Sequence, residues 1–152
     1  MRDSRILDIL KNLEGNEIGT TDWFEINQER INQFAECTED RQWIHTDEEM
    51  AKKGPFGRPI AHGFLLLSLL GYLTYQYKIE IPDVKMRINY GLNRVRFIQP
   101  VPAGSKIRSR GTLKTYESRG PGKILITIEN IIDIKGWEKP ALMAETLYLI
   151  IF

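Results

Sequence analysis

Residues 64–77 read FLLLSLLGYLTYQY. No proline interrupts the run, it holds one glycine, and leucine falls on every face of a helix drawn through it. A helix that is apolar all round has no side to give to water and must be enclosed. The run is too short to cross a bilayer, which takes about 20 apolar residues. The enclosing material therefore has to come from the protein itself.

The C-terminal half supplies it. KMRINYGLNRVRFIQPV, SKIRSRGTLKTYES, KILITIENIIDI and ALMAETLYLIIF are rich in Ile, Val, Thr and Tyr. They read as four long strands separated by the turn segments VPAGS, SRGPG and KGWEKP. In the third, Ile124, Ile126 and Ile128 share one face. Long strands joined by short links favour antiparallel pairing. Ahead of the apolar run the pattern is mostly helical. SRILDILKNL reads as a short amphipathic helix, TTDWFEI as a strand, and NQERINQFAECT as a helix capped by Asn27, with Ile31, Phe34 and Ala35 on one face. Thr46 and Glu49 have the spacing of a capping box for another short helix, which Gly54-Pro55 ends. The predicted architecture is α+β: a curved antiparallel sheet wrapped around one central hydrophobic helix, a hot dog fold, as a single domain over residues 1–152. Such a sheet leaves an edge strand, and pairing two subunits along it predicts a homodimer.

The opening segment MRDSRILDILKNLEGNE carries charge throughout, so no export signal is expected. One cysteine, Cys37, cannot form an internal disulfide; it is expected to pack on its helix, and the expected compartment is the cytoplasm. The net charge of +1 argues against nucleic acid as a partner. Its distribution says more. Residues 1–83 carry nine basic and fifteen acidic side chains, whereas residues 84–116 carry eight basic ones and no acidic ones. That block reads either as a contact for a polyanion or as a solvated sheet face balanced by acids elsewhere.

Polar chemistry concentrates just before the apolar run. The chain has two histidines, His45 and His62, and Asp40 stands five positions before His45. DRQWIH falls between two helices, so an irregular backbone can aim Asp40 and His45 at one water as a proton-transfer pair. Gly63 begins the buried helix. Its amide lacks a helical partner, the helix dipole favours negative charge there, and the absent side chain admits a ligand. That amide suits a polarised carbonyl oxygen. His62 reads most simply as a donor to a buried carbonyl that holds the turn. Two histidines and one cysteine without HxxxH or CxxC spacing give no case for a metal, and no organic cofactor is expected.

The stretch FAECTEDRQWIHTDEEMAKKGPFGRPIAHGFLLLSLL closely resembles the MaoC-like dehydratases, the family of (R)-specific enoyl-CoA hydratases, and within it the nodulation protein N-like branch. The family pattern is Asp, four residues, then His, here Asp40 and His45. An acidic helix start, a Phe-Gly/Pro loop and IAHG at residues 60–63 follow. NYGLNRVRFIQPVPAGSKIR, residues 89–108, resembles the family's later strand pair, and the likeness runs over roughly residues 20–150.

The resemblance implies a hot dog dimer acting on a trans-2-enoyl thioester of coenzyme A or acyl carrier protein. Asp40 and His45 hold and activate water, and the Gly63 N–H polarises the thioester carbonyl. Water adds at C3 and a proton at C2, giving a (3R)-hydroxyacyl thioester. Many hydratases read Asp-x-Asn-Pro-x-His, where this chain has Gln42 and Trp43. Gln42 keeps an amide to brace the loop, and Trp43 is bulky enough to narrow the acyl channel. The substrate-binding candidates are Gln42, Trp43, His62, Ser68, Arg94 and Arg96, the two arginines for the phosphates of coenzyme A. Two alternatives stay open: a hot dog thioesterase using Asp40, and a non-catalytic acyl-thioester binding subunit with Trp43 in the channel.

Overall fold

The computed structural model describes residues 2–152. Helix α1 (Arg2–Leu13) leads into strands β1 (Glu17–Thr20) and β2 (Phe24–Ile26), then α2 (Gln28–Thr38), α3 (Trp43–Thr46) and α4 (Glu48–Lys53). Helix α5 (Gly63–Leu73) continues into a 3-10 turn at Thr74–Gln76. Strands β3 (Met86–Phe97), β4 (Ser105–Ser118), β5 (Lys123–Ile134) and β6 (Leu142–Ile151) complete the chain. The strands form one antiparallel sheet in the order β1-β4-β5-β6-β3, with β2 also on β4. No helix among the described residues is long and apolar enough to cross a membrane.

Period-two alternation sets the inner face. On β5, Ile124, Ile126, Ile128, Ile132 and Ile134 are buried, and on β6, Leu142, Ala144, Tyr148 and Ile150. Leu65, Leu66, Leu70 and Leu73 of α5 pack on one part of that face with Ile107, Ile132 and Leu142. Ile6 and Leu10 of α1 pack on the other with Leu113, Ile124 and Ile150. This is the α+β hot dog arrangement predicted from the sequence.

A polar cluster lies on the strand positions between the two apolar groups. The Tyr77 hydroxyl meets Ser109 Oγ at 2.6 Å and donates to Asn130 Oδ1 at 2.9 Å; Asn130 Nδ2 donates to Thr146 Oγ1 at 2.9 Å. Every member is bonded, which a polar group in a dry core requires. Burial pushes the Tyr77 hydroxyl up to about 12, and the bond to Ser109 opposes it.

Four local expectations need correction. The α5 run is not enclosed all round: Phe64, Tyr72 and Tyr75 are 65%, 54% and 72% exposed, and Ser68 is exposed between them. The sheet covers one side of the helix, and these side chains share the other at helical spacing. Thr46 does not cap α4. It closes α3, and Asp47 is the cap, its Oδ1 accepting from Met50 N at 2.9 Å. Cys37 does not pack in the core but is exposed; two positions beyond the buried Ala35, it falls on the far side of α2. TTDWFEI is not one strand, since Thr20 ends β1 and Phe24 opens β2.

Candidate active site

Three chain segments converge at the head of α5. The first is the exit from α2. Glu39 ends that helix in the left-handed conformation at φ 64°. Arg41, on the same turn, donates to Glu36 at 2.8 and 2.9 Å and also pairs with Glu39. This clamp fixes the loop that carries Asp40, whose side chain is half exposed.

The second is α3. DRQWIH is irregular only at its start, because residues 43–46 close a helical turn in which His45 N donates to Gln42 O at 3.0 Å. His45 is 7% exposed. Its Nδ1 lies 2.7 Å from Ile60 O. A carbonyl can only accept, so Nδ1 carries the proton and Nε2 keeps a lone pair. Gln28 Nε2 donates to His45 O at 2.7 Å, and Ile60 N to Ile44 O at 3.0 Å, lacing α3 to α2 and to the segment before α5. Burial lowers the His45 pKa from its ordinary 6.5, and nearby His62 adds to that. The bond to Ile60 and the charge of Asp40 oppose it. The neutral imidazole is favoured.

The third is the start of α5. His62 occupies the N-cap position, 2% exposed, and its Nε2 lies 2.9 Å from Asp40 O. Its ring stacks on that of His45 with centroids 3.8 Å apart and 24° between planes, and Phe34 covers it at 4.9 Å. Gly63 follows. Its N–H has no acceptor among the described residues, as expected of a first helical amide. A Cβ built there would lie 2.9 Å from two carbons of the Phe97 ring, so any side chain at this position has to displace that ring. A cavity of about 310 Å³ opens here, lined by His45, Ile60, Gly63, Phe64 and Phe97 among others.

One carboxylate oxygen of Asp40 and one ring nitrogen from each histidine lie within 4.8 Å of one another. That spacing admits a water bonded to Asp40 and His45 together. It suits a metal ion poorly. His62 Nε2 is committed to Asp40 O and His45 Nδ1 to Ile60 O.

The other candidates scatter. Trp43 rests on Gly54, whose Cβ would meet its ring at 3.0 Å, and it is not among the cavity's lining residues. Gln42 contributes its backbone carbonyl to α3, and its side chain is exposed. Ser68 lines a second groove of about 320 Å³ between α5 and β3, with its hydroxyl donated to Phe64 O at 2.7 Å. Arg94 and Arg96 pair with Glu145 and Met143, while the intervening Val95 pairs with the fully buried Ala144. Both arginines therefore point to the sheet's outer face, away from the cavity. Much of the basic block is neutralised at home: Asp133 receives Arg108 and Arg110, and Glu129 faces Lys114 at 3.8 Å. The Ile60 carbonyl, Gln28, Arg41 and Phe97 were not legible as site residues. A backbone acceptor leaves no mark on composition, Gln28 and Phe97 act through distant partners, and Arg41 acts only through two exposed glutamates of its own turn.

The model of the MaoC like domain matches residues 10–132. Over 133 residues the chain is 46% identical to 3-hydroxyacyl-thioester dehydratase Z of Mycobacterium tuberculosis, a match covering 88% of this chain and 87% of that one. Nodulation protein N of Rhizobium leguminosarum bv. viciae is 40% identical over 139 residues, 91% of this chain and 86% of its own. The solved (R)-hydratase from A. caviae involved in PHA biosynthesis superposes with a TM-score of 0.72 at 25% identity, over 89% of this chain and 94% of that one. With the family's model lying along residues 10–132 and relatives at 40% and 46% identity, the chain belongs to the MaoC-like dehydratases.

Proposed function

We propose that this protein is a hydro-lyase that interconverts (3R)-hydroxyacyl and trans-2-enoyl thioesters by removing or adding water. One observation carries the reading: a neutral imidazole with its Nε2 lone pair unused and an unpartnered helix-start amide line one cavity, and a carboxylate stands within 4.8 Å of the histidine pair. Family membership and the names of the relatives support it.

In hydration, water sits between Asp40 and His45. Its oxygen bonds to C3 as one of its protons passes to the pair. The C2–C3 π electrons move toward C2 and the thioester oxygen, where the Gly63 N–H stabilises the developing charge. The pair returns a proton to C2, and the product holds the elements of one water. Dehydration reverses each step. The thioester is carried by coenzyme A or by an acyl carrier protein.

The working unit is a homodimer. Edge strand β3 exposes Met86, Ile88, Tyr90, Leu92 and Phe97 at 42–56%, and α5 exposes Phe64 and Tyr72. An uncovered apolar edge of this kind is a pairing surface.

The test is a hydratase assay with short and medium trans-2-enoyl-CoA, following loss of the conjugated absorbance with chiral analysis of the product. Conversion to the (3R)-hydroxyacyl thioester is expected. Asp40→Asn and His45→Gln are each expected to lower it by about 10²–10⁴-fold. Release of free thiol without hydroxyacyl product would replace this reading with the thioesterase one. Binding without turnover would replace it with the binding-subunit one.

A further inference from the structure

His62 is costly for a residue that only shapes a turn. It stands at the N-cap of α5, where Ser, Thr, Asp or Asn would accept from a free helix amide. It makes no such side-chain bond. Its Nε2 must be the protonated nitrogen, because its partner at 2.9 Å is the Asp40 carbonyl. That leaves Nδ1 a buried acceptor with no partner among the described residues. Giving up the cap and burying an unsatisfied nitrogen are both unfavourable. What the arrangement achieves is contact with both members of the pair: one bond to the backbone of Asp40 and one stacked face against His45.

We propose that His62 is a positioning residue of the reaction: it ties the Asp40 backbone to the head of α5 and holds the His45 ring flat, so that carboxylate and imidazole stay aimed at one water. The inference rests on the assignment of Asp40 and His45 made above. The tie is short and rigid. It spans 22 residues of sequence and joins the half-exposed loop to the element that also supplies Gly63. All three reacting groups thereby share one frame. The titratable groups acting on His45 are Asp40, on the loop after α2, and His62 itself. Its other partners, Gln28 and Ile60, are uncharged, as is Phe34, which covers His62.

Two variants separate positioning from packing. His62→Gln can place an amide N–H near the site of Nε2–H and keep the tie to Asp40. His62→Asn is too short to reach. For the full-length protein on trans-2-enoyl-CoA, His62→Asn is expected to lose kcat by about 10²-fold, the effect of a misplacement near 1 Å, while KM changes little. His62→Gln is expected to recover most of kcat. The acid limb of its kcat/KM profile should move to higher pH, because a second imidazole no longer opposes protonation of His45. Equal losses in both variants, or wild-type behaviour in both, would overturn the proposal. Asp40→Asn and His45→Gln run beside them. If those retain activity, the dyad assignment falls and this inference with it; if they collapse while both His62 variants stay active, the inference alone falls.

A measurement on the unaltered protein guards against variants that do not fold. The chain holds two histidines, so ¹⁵N-histidine NMR resolves both, and His45→Gln assigns them. His62 is expected as the Nε2–H tautomer and His45 as Nδ1–H. Nδ1–H at His62 would mean that the tie to Asp40 does not exist.

Discussion

Protonating His45 requires charging a ring that burial and a stacked imidazole both disfavour. Its folded pKa lies below the ordinary 6.5 that it regains on unfolding. As pH falls through that window the unfolded chain takes up the proton first, so stability drops with acidification from about 6.5 downward. Thermal midpoints measured from pH 7.5 to 5 should fall in the wild type and fall less in His45→Gln. The same shift keeps the base form of His45 populated below neutrality, so kcat/KM should stay level to a lower pH than an ordinary imidazole would allow. The closeness of Asp40 and His45 was legible because their spacing is local and the chain holds only two histidines. The His62 bond was half legible: a buried carbonyl partner was expected, but not that it would be Asp40 O, since a bond across 22 residues exists only once the fold has closed. Arg94 and Arg96 misled in a different way. Composition marks a charge but not the face of the strand that bears it, and here alternation sends both away from the cavity.

At the level of elements, the four long strands were plain in the sequence. β4 and β5 run over Ser105–Ser118 and Lys123–Ile134, the segments their residue types predict. Short elements were harder, because one residue decides a cap. Thr46 and Asp47 are both good capping residues, and the extra turn of α3 moved the cap to Asp47. Asp47→Ala should therefore cost about 1 kcal/mol in denaturant unfolding, and Thr46→Ala distinctly less, since its hydroxyl reaches Arg41 O and Gln42 O only at 3.3 Å. The head of α5 gives a second expectation. Gly63→Ala sets a methyl against the Phe97 ring, which is half exposed and free to turn. Folding should survive while activity falls, because the displaced ring and the new methyl crowd the amide. Gly63→Ala with Phe97→Ala should recover part of the lost activity if crowding is the cause, and a steady-state comparison of the two variants checks this.

Across the whole molecule, the sequence signalled that α5 had to be enclosed but not that one chain would leave a side of it open. Enclosure was inferred from hydrophobicity, which does not say whose atoms provide the cover. The stripe from Phe64 to Tyr75 and the bare β3 edge are read here as the seat of a second copy. Sedimentation equilibrium should give twice the chain mass, and Leu92→Glu, which puts a charge on that edge, should lower it toward one. Deeper in, Tyr77→Phe removes a hydroxyl on which Ser109 and Asn130 both depend, and should cost about 1–3 kcal/mol in denaturant unfolding. The same tyrosine has a further consequence. Its ring lies over Gly111 of β4, where any Cβ would overlap it, and a Cβ on Gly19, paired opposite on β1, would sit 2.9 Å from the Tyr77 Cα. Sliding β4 by one position would bring Arg110 or Thr112 under the ring, and neither fits the space that glycine leaves. Tyr77 is thus a gauge of strand alignment: a sheet assembled one residue out of step cannot close over it.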